Sequence, residues 1–184
     1  MSAKWLKPVD HFDVEQWDRV YTTRAGGDFV FRRGVELAKE ISYRVSSPGE
    51  VWLDVGCGTG HLAAMLSRTG RSVIGVDHDP TMIDYAKRRF LNEHSTNELN
   101  FIAADACNLP FGNETVDGVV ATSLAGCLSF PERFFQETYR VLCRGGYAVM
   151  TFTNRDSSLL KINSYLRKIM PPTGGLKDNN FSFR

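Results

Sequence analysis

The chain has 184 residues, 42% of them hydrophobic, and its 22 basic residues nearly balance 21 acidic ones. This length and composition predict one ordinary globular domain with a substantial core. The net charge of +1 lacks the strong basic excess that is typical of proteins that bind nucleic acids or membrane surfaces, so no nucleic-acid partner is expected.

The first 48 residues are rich in aromatic side chains, and apolar residues from Val35 to Tyr43 predict a helix that ends at Ser46-Ser47-Pro48-Gly49. From residue 49 onwards, short apolar runs alternate with amphipathic segments. Strands are predicted at 51–55, 72–77, 100–105, 116–123 and 146–153. Helices are predicted at 61–68, 80–91 and 131–142, the last with Phe134, Phe135, Tyr139 and Leu142 on one side.

The alternation of strands and helices is typical of parallel βαβ units. It predicts an α/β fold with a doubly wound, mainly parallel sheet that helices cover on both faces. After the last strand, residues 156–170 predict one more helix, and PPTGGLKDNN predicts a loop.

Four cysteines are scattered without a CxxC pair: Cys57, Cys107, Cys127 and Cys143. This spacing argues against a zinc site and against a disulfide framework, so no metal is expected. No apolar stretch approaches the ~20 residues of a membrane span, and MSAKWLK lacks the apolar core of a signal peptide. The expectation is a soluble, cytoplasmic protein.

A glycine-rich loop, GCGTG at 56–60, follows the first strand. In open parallel sheets, ligands bind at the carboxyl ends of the strands. Gly56 and Gly58 have no Cβ and can adopt positive φ, so the main chain can approach a ligand closely there. A tight strand-to-helix turn that binds nothing would also explain the loop taken alone.

Two acids follow the next two strands. Asp77 stands where doubly wound nucleotide-binding folds place a carboxylate that accepts both ribose hydroxyls. Its alternative role is to cap the helix that begins at Pro80, which Asp79 can do better. Asp105 ends the third predicted strand and can accept from an adenine amino group, or it is a simple turn residue. Glycines and two acids at three successive strand ends together predict a nucleoside site.

The spacing of the glycines narrows the choice of nucleoside. The dinucleotide fingerprint is G-x-G-x-x-G, whereas this chain has G-x-G-x-G with His61 in place of the last glycine. The triphosphate-binding sequence G-x-x-x-x-G-K-S/T is absent as well. An NAD-dependent oxidoreductase is therefore disfavoured, and we expect a nucleoside with a modest, zwitterionic tail.

Four segments together resemble the class I S-adenosylmethionine-dependent methyltransferases over about residues 49–154. They are VWLDVGCGTGHLAAML, VIGVDHDPTMIDYAKRR, FIAADACNLPFGNETVDGVVATS and FQETYRVLCRGGYAVMTF. The stretch LPF-x-N-x-x-x-D at 109–117 is similar to the small-molecule branch that includes the ubiquinone- and menaquinone-biosynthesis methyltransferases. The resemblance implies a Rossmann-like methyltransferase fold, S-adenosyl-L-methionine as cofactor, S-adenosyl-L-homocysteine as product, and a small-molecule acceptor.

The resemblance also implies which residues hold the methionine end of the cofactor. Gly56, Cys57 and Gly58 would line it with their main chain, in a loop that Gly60 completes. Asp54 would organise this loop and help to hold the amino group of the cofactor.

For the nucleoside end, the resemblance implies that Asp77 holds the ribose hydroxyls and that His78 lies against the adenine face. Asp105 would accept from the adenine amino group, beside the N–H of Ala106. Thr122 would present its carbonyl to the methionine amino group. His78 departs from the usual aliphatic or aromatic residue of the family.

The carboxyl-terminal part departs further from the family. The family fold ends with a sixth parallel strand and a seventh antiparallel strand, but only 30 residues follow Asn154 and they predict a helix and a loop. The fold is therefore expected to lack this hairpin, which leaves a sheet edge open to pairing with a second copy, or marks a fragment. We expect a single domain over 1–184: an N-terminal helical lid segment at 1–48, a cofactor-binding core at 49–155, and a truncated helix and loop at 156–184.

The sequence does not identify the methyl acceptor or the chemistry of its methylation. A general base is needed only if the acceptor must lose a proton, and none of the candidates His11, His61 and His94 is assigned. Tyr21 and Arg24 are predicted lid contacts, and Cys127 is expected to pack rather than to attack. Two alternatives remain: a cofactor-binding module without turnover, and an RNA or protein methyltransferase.

Overall fold

The structure is a computed structural model, and it describes residues 14–15, 18, 29–45, 47–90 and 99–152. The described elements, in chain order, are α1 (Phe29–Val45), β1 (Val51–Val55), α2 (His61–Ser67), β2 (Ser72–Asp77), α3 (Pro80–Phe90), β3 (Leu99–Ala103), β4 (Val116–Thr122), a 3-10 helix (Ala125–Cys127), α4 (Pro131–Val141) and β5 (Leu142–Thr151). The carboxyl-terminal segment, where the family hairpin is expected to be missing and a helix is predicted at 156–170, lies outside these residues, as do His11 and His94.

The strands form one parallel sheet in the order β3-β2-β1-β4-β5. The predicted α/β fold with a doubly wound, parallel sheet is therefore confirmed. The chain winds outwards from β1 in both directions, so connections diverge between β1 and β4. Asp54, the fourth residue of β1, lies opposite Gly75 of β2 and Val120 of β4.

Apolar side chains cover both faces of the sheet, because successive residues of each strand point to opposite sides. On one face, Trp52 packs with Phe101 and with residues of α1, α2 and α3. On the other face, Leu53 and Val55 pack with Phe134 of α4. No helix in the described part of the chain is long and apolar enough to span a membrane.

The buried face of α4 differs from the prediction. Phe134, Thr138 and Val141 are buried, whereas Tyr139 is 85% exposed. The spacing of four and three residues follows the helical period, while the predicted side gave more weight to aromatic character than to this period. Leu142 is the first residue of β5 rather than part of the helix.

Several strand boundaries also differ from the sequence predictions. β5 begins at Leu142 rather than at residue 146, and its pairing with β4 shifts register around Gly145, which has φ +82°. β3 ends at Ala103, so Asp105 follows the strand instead of ending it. A turn begins there, since the Asp105 carbonyl accepts from the Asn108 N–H at 2.9 Å.

Gly118 gives a direct test of the packing between sheet and helices. A Cβ at Gly118 would overlap the ring of Trp52, whereas a Cβ at Gly126 would meet no atom within 4 Å. Gly118→Ala is therefore expected to lower the free energy of unfolding by about 1–3 kcal/mol, the usual cost of overpacking a core. Gly126→Ala is the matched control, and equal urea midpoints for the two variants would contradict this packing.

Candidate functional site

The loop between β1 and α2 turns on three glycines with positive φ: Gly56 at +75°, Gly58 at +52° and Gly60 at +80°. The N–H groups of Gly56 and Cys57 both donate to the Val76 carbonyl, at 2.7 and 3.0 Å. These bonds hold the loop against the carboxyl end of β2. The main chain of the loop is thereby fixed at the sheet edge where parallel folds bind ligands.

These positions require glycine for different reasons. A Cβ at Gly58 would enter open space, with no atom within 4 Å. A Cβ at Gly60 would lie 2.7 Å from Cε1 of Phe101, so Gly60 is required by the core. Gly58 is therefore the position of the loop at which a ligand can lie directly against the main chain.

Cys57 offers a ligand only its main chain. Its side chain is buried beneath the loop, where Sγ occupies the space that a Cβ of Gly75 would need. Burial raises the pKa of the Cys57 thiol well above its usual value, and the carboxyls of Asp54 and Asp77 add to this shift. The thiol stays protonated and is not a nucleophile.

Asp54 is a buried carboxyl with an incomplete set of partners. It is 1% exposed, and the main-chain N–H of Ala63 in α2 donates to it. Its Oδ2 has no hydrogen-bond partner among the described residues. The pKa of Asp54 is raised to about 7, mainly by burial and to a smaller extent by the nearby Asp77, while the Ala63 N–H acts to lower it. A buried polar atom without a partner indicates a position that a ligand can complete.

Asp77 connects the end of β2 to the glycine loop. Its Oδ2 accepts from the Gly58 N–H at 2.8 Å, and its Oδ1 accepts from the Asp79 N–H at 3.0 Å. Each oxygen keeps lone-pair capacity for a further donor. Asp79 accepts from the Thr81 N–H at 2.8 Å, so Asp79 caps α3 and leaves Asp77 available, as the sequence predicts.

The remaining predicted nucleoside contacts lie on the β3 side of the loop. His78 is 87% exposed in its side chain, with Nδ1 3.3 Å from Oδ1 of Asp77. Asp105 is exposed and accepts from the Cys107 N–H at 2.8 Å, while Ala106 is buried. The Ala104 N–H donates to the Asp77 carbonyl at 2.9 Å and ties this turn to the end of β2.

The β4 side of the loop carries two residues that sequence reasoning missed. Thr122 ends β4, and the next residue, Ser123, has φ +58°, which is strained for a residue other than glycine. Its N–H donates to the carbonyl and to Oγ1 of Thr151, both at 3.1 Å. Leu124 fills the space beside Gly56, where a Cβ would lie 2.9 Å from its Cδ1. No local sequence pattern marks either residue.

The side chain of His61 contacts Asp18 and Phe90. Its Nε2 lies 2.8 Å from Oδ1 of Asp18, and its ring packs edge-on against Phe90 at 5.5 Å. Arg89 also bonds to Asp18. Burial is the largest cause that lowers the pKa of His61. Tyr21 and Arg24, the predicted lid contacts, lie outside the described residues.

Two side chains of α4, Glu137 and Arg140, hold the loop that follows Asp105. Arg140 donates to the carbonyls of Leu109 and Phe111, at 2.9 and 2.7 Å, and to Oδ1 of Asn113 at 3.0 Å. Oε2 of Glu137 accepts from the Leu109 N–H at 2.7 Å and pairs with Arg140. The Glu–Arg spacing of three residues on a helix is the sequence signal for this pair.

Replacing Arg140 with alanine is expected to lower Tm, because the carbonyls of this loop lose their donor and several bonds disappear together. Arg144→Ala is the matched control, since the Arg144 side chain is 91% exposed and its ion pair with Glu114 is long, at 3.4 Å. Thermal unfolding of both variants checks this. Equal Tm values would show that the loop does not depend on Arg140.

The predicted cofactor residues therefore lie along one edge of the sheet. Direct contacts join Asp54 to the helix after the glycine loop, and Asp77 to the loop itself. Asp105 and His78 flank the loop on the β3 side, and Thr122 flanks it on the β4 side. The result is an edge with carboxylates and exposed main chain, suited to a ligand that carries hydroxyls and positive charge.

Comparisons with known proteins fit this geometry. A family model described as a methyltransferase domain matches residues 53–150, more than half of the chain. The chain is 36% identical over 157 residues to a demethylmenaquinone methyltransferase of Thermus thermophilus, across 82% of this chain and 67% of that protein. It spans only 54% and 42% of two further curated relatives.

Two solved structures share the fold. A proposed S-adenosyl-L-methionine-dependent methyltransferase of Methanococcus maripaludis has a TM-score of 0.68 and 20% identity, over 93% of this chain and 76% of that chain. The cyclase SpnF has a TM-score of 0.61 and 26% identity, over 67% of this chain and 48% of its own. The family match extends from β1 to β5 and contains every predicted cofactor residue from Asp54 to Thr122. The chain therefore belongs to the methyltransferase-domain family, in the small-molecule branch of the class I S-adenosyl-L-methionine-dependent methyltransferases.

Proposed function

We propose that this chain binds S-adenosyl-L-methionine at the edge built by the glycine loop, and that it transfers the methyl group to a small-molecule acceptor. The observation that carries the proposal is the buried Oδ2 of Asp54, which has no partner among the described residues. It lies in the strand that leads directly into the open main chain at Gly58. A cationic amino group of the cofactor would donate a hydrogen bond to this oxygen.

The charges of the edge fit this cofactor better than a dinucleotide. An acid at the position of Asp77 is common to both kinds of site, but Asp54 precedes the glycine loop in β1, where an acid favours a ligand with an ammonium group over a pyrophosphate. The carboxylate of Asp77 would hold the ribose hydroxyls. Asp105, with the N–H of Ala106, would contact the adenine, against which the exposed ring of His78 would lie.

The cofactor, when bound, supplies a methyl group that the sulfonium has already activated. The task of the chain is to hold cofactor and acceptor in line and to exclude water, and orientation of this kind contributes ~7–11 kcal/mol in favourable cases. We assign the cofactor to the main chain of the loop and to the carbonyl of Thr122. The acceptor then approaches from the β4 side, over Ser123 and Leu124. No general base is assigned, since His61 is engaged with Asp18.

We propose an acceptor of the phenol or quinol type. The demethylmenaquinone methyltransferase relative supports this class. Large apolar side chains near the β4 and β5 ends of the edge also support it, since Phe130 is 64% exposed and Phe152 is 61% exposed. Pairing of two copies through the edge of β5 stays a prediction.

A cofactor-binding module that does not transfer the methyl group is the second candidate. The likeness to the cyclase SpnF favours it, because that relationship shows that this fold is not restricted to proteins named for methyl transfer. The chain would then bind the cofactor with the same residues and release no S-adenosyl-L-homocysteine.

A methyl-transfer assay separates the two candidates. The chain is incubated with S-adenosyl-L-methionine and, in turn, with a prenylated naphthoquinol, an unprenylated naphthol and a catechol. Mass spectrometry should show S-adenosyl-L-homocysteine and one acceptor heavier by a methyl group, with Asp77→Ala as the inactive control. Cofactor binding without product from any acceptor would contradict transfer to this class and favour the second candidate.

A further inference from the structure

We propose that Asp54 gives up a proton when the cationic end of the cofactor binds, so that capture of the cofactor is coupled to proton release. The inference rests on the proposed function, since it concerns the same site. It predicts that binding of the cofactor itself depends on pH, before any acceptor takes part in the reaction.

The position of Asp54 makes its charge costly in the absence of a ligand. The side chain is 1% exposed and lies between Gly75 and Val120 in neighbouring strands. The Ala63 N–H bonds one part of the carboxyl, and Oδ2 has no partner among the described residues. A buried carboxylate with this few donors favours its neutral, protonated form.

The groups that face Asp54 do not compensate its charge. The carboxyl of Asp77, at the end of β2, raises the pKa of Asp54, and Asp54 in turn raises the pKa of the Cys57 thiol in the loop. The helix α2 contributes the Ala63 N–H together with buried apolar side chains, and β4 contributes Val120. Among the described residues, no basic side chain adds to the causes that shift this carboxyl.

These surroundings bring the pKa of Asp54 close to neutral pH. Burial raises the pKa of Asp54 to about 7, with Asp77 acting in the same direction. A bound ammonium group beside the carboxyl favours the carboxylate and lowers this pKa again. The proton then passes from the Asp54 carboxyl to solvent, and an N–H of the ammonium donates to the oxygen that had no partner.

Calorimetric titration in two buffers of different protonation enthalpy measures the released proton directly. S-adenosyl-L-methionine and S-adenosyl-L-homocysteine both carry the ammonium group, so both should release close to one proton at about pH 6. Their Kd should be about tenfold weaker at about pH 6 than at about pH 7.5. 5′-Methylthioadenosine lacks the amino-acid end and should release no proton.

Asp54→Asn removes the titrating group with little change of shape. This variant should bind S-adenosyl-L-methionine with the same Kd at both pH values and without proton release. Asp79→Asn is the matched control, since the Asp79 carboxyl accepts from the main-chain N–H of Thr81 at the start of α3, and this variant should keep the wild-type pH dependence. The two-buffer comparison on the wild-type chain needs no variant and stands if Asp54→Asn does not fold.

The outcomes separate the inference from the function beneath it. Binding with equal Kd at both pH values and no released proton would overturn the inference and leave the proposed function intact. Proton release that persists in Asp54→Asn would assign the proton to another group and would overturn it as well. Absence of binding at both pH values would overturn the proposed function itself.

Discussion

Gly58→Val is expected to weaken binding of S-adenosyl-L-methionine about a hundredfold or more while the chain stays folded. Gly58 has φ +52°, and its missing Cβ would meet no protein atom within 4 Å. A valine side chain would therefore occupy the space proposed for the ligand. The positive φ would add strain of about 1–3 kcal/mol, which a folded domain tolerates.

The matched control separates strain from loss of the ligand space. Gly49 also has positive φ, at +88°, and a Cβ there would likewise meet nothing within 4 Å. It precedes β1 and bonds to Gly70, away from the carboxyl edge of the sheet. Gly49→Val should cost similar stability and leave the Kd unchanged. If both variants weakened binding equally, loop strain alone would explain the result.

Asp77→Ala tests the same site from the neighbouring strand. The variant removes the acceptor of the Gly58 N–H and the proposed acceptor of two ribose hydroxyls. Loss of two hydrogen bonds to a charged group corresponds to about a hundredfold or more in Kd. Asp79→Ala, which removes only the cap of α3, should cost some stability and leave the Kd unchanged. An unchanged Kd for S-adenosyl-L-methionine in both Gly58→Val and Asp77→Ala would contradict the assignment of the cofactor to this edge.

Asp54→Asn is expected to stabilise the ligand-free chain at pH 8. Burial raises the pKa of Asp54 from 3.8 to about 7, so between these values the folded chain holds a proton that the unfolded chain has released. Unfolding then loses a proton, and stability falls as the pH rises through this window. The full shift corresponds to a loss on the order of 4 kcal/mol above pH 7.

A neutral amide does not titrate and should avoid most of this loss. Urea denaturation of both proteins at pH 5 and pH 8 checks the expectation. The gain of the variant over the wild type should be larger at pH 8 than at pH 5 by about 1–3 kcal/mol. The same variant loses the charge proposed to hold the cofactor, so stability and affinity should change in opposite directions. A variant that is equally destabilised at both pH values would contradict the burial of a costly carboxyl.

Much of the fold could be predicted because its signals are local. The apolar run at 51–55 is a strand followed by glycines, and the prediction for β1 matches its observed bounds. The prediction for β2 also matches, and the cap of α3 by Asp79 is confirmed. These features depend on a few consecutive residues, so a single sequence contains them.

The misplaced features depend on contacts between distant parts of the chain. The start of β5 depends on how Gly145 lets the strand shift register against β4. The strained Ser123 is held by Thr151, 28 residues away. The unpartnered oxygen of Asp54 results from packing among β1, β2 and α2. Local propensity contains no information about any of these contacts.

The carboxyl ends of β1 and β2 are the proposed binding site of S-adenosyl-L-methionine. Calorimetric titration of the chain at about pH 7.5 with this cofactor, with S-adenosyl-L-homocysteine and with NAD tests it most directly. We predict micromolar binding of the first two ligands and none of NAD, because the G-x-G-x-G loop lacks the spacing that places a pyrophosphate at the start of the following helix. Binding of NAD, or a folded chain that binds none of the three, would contradict the claim.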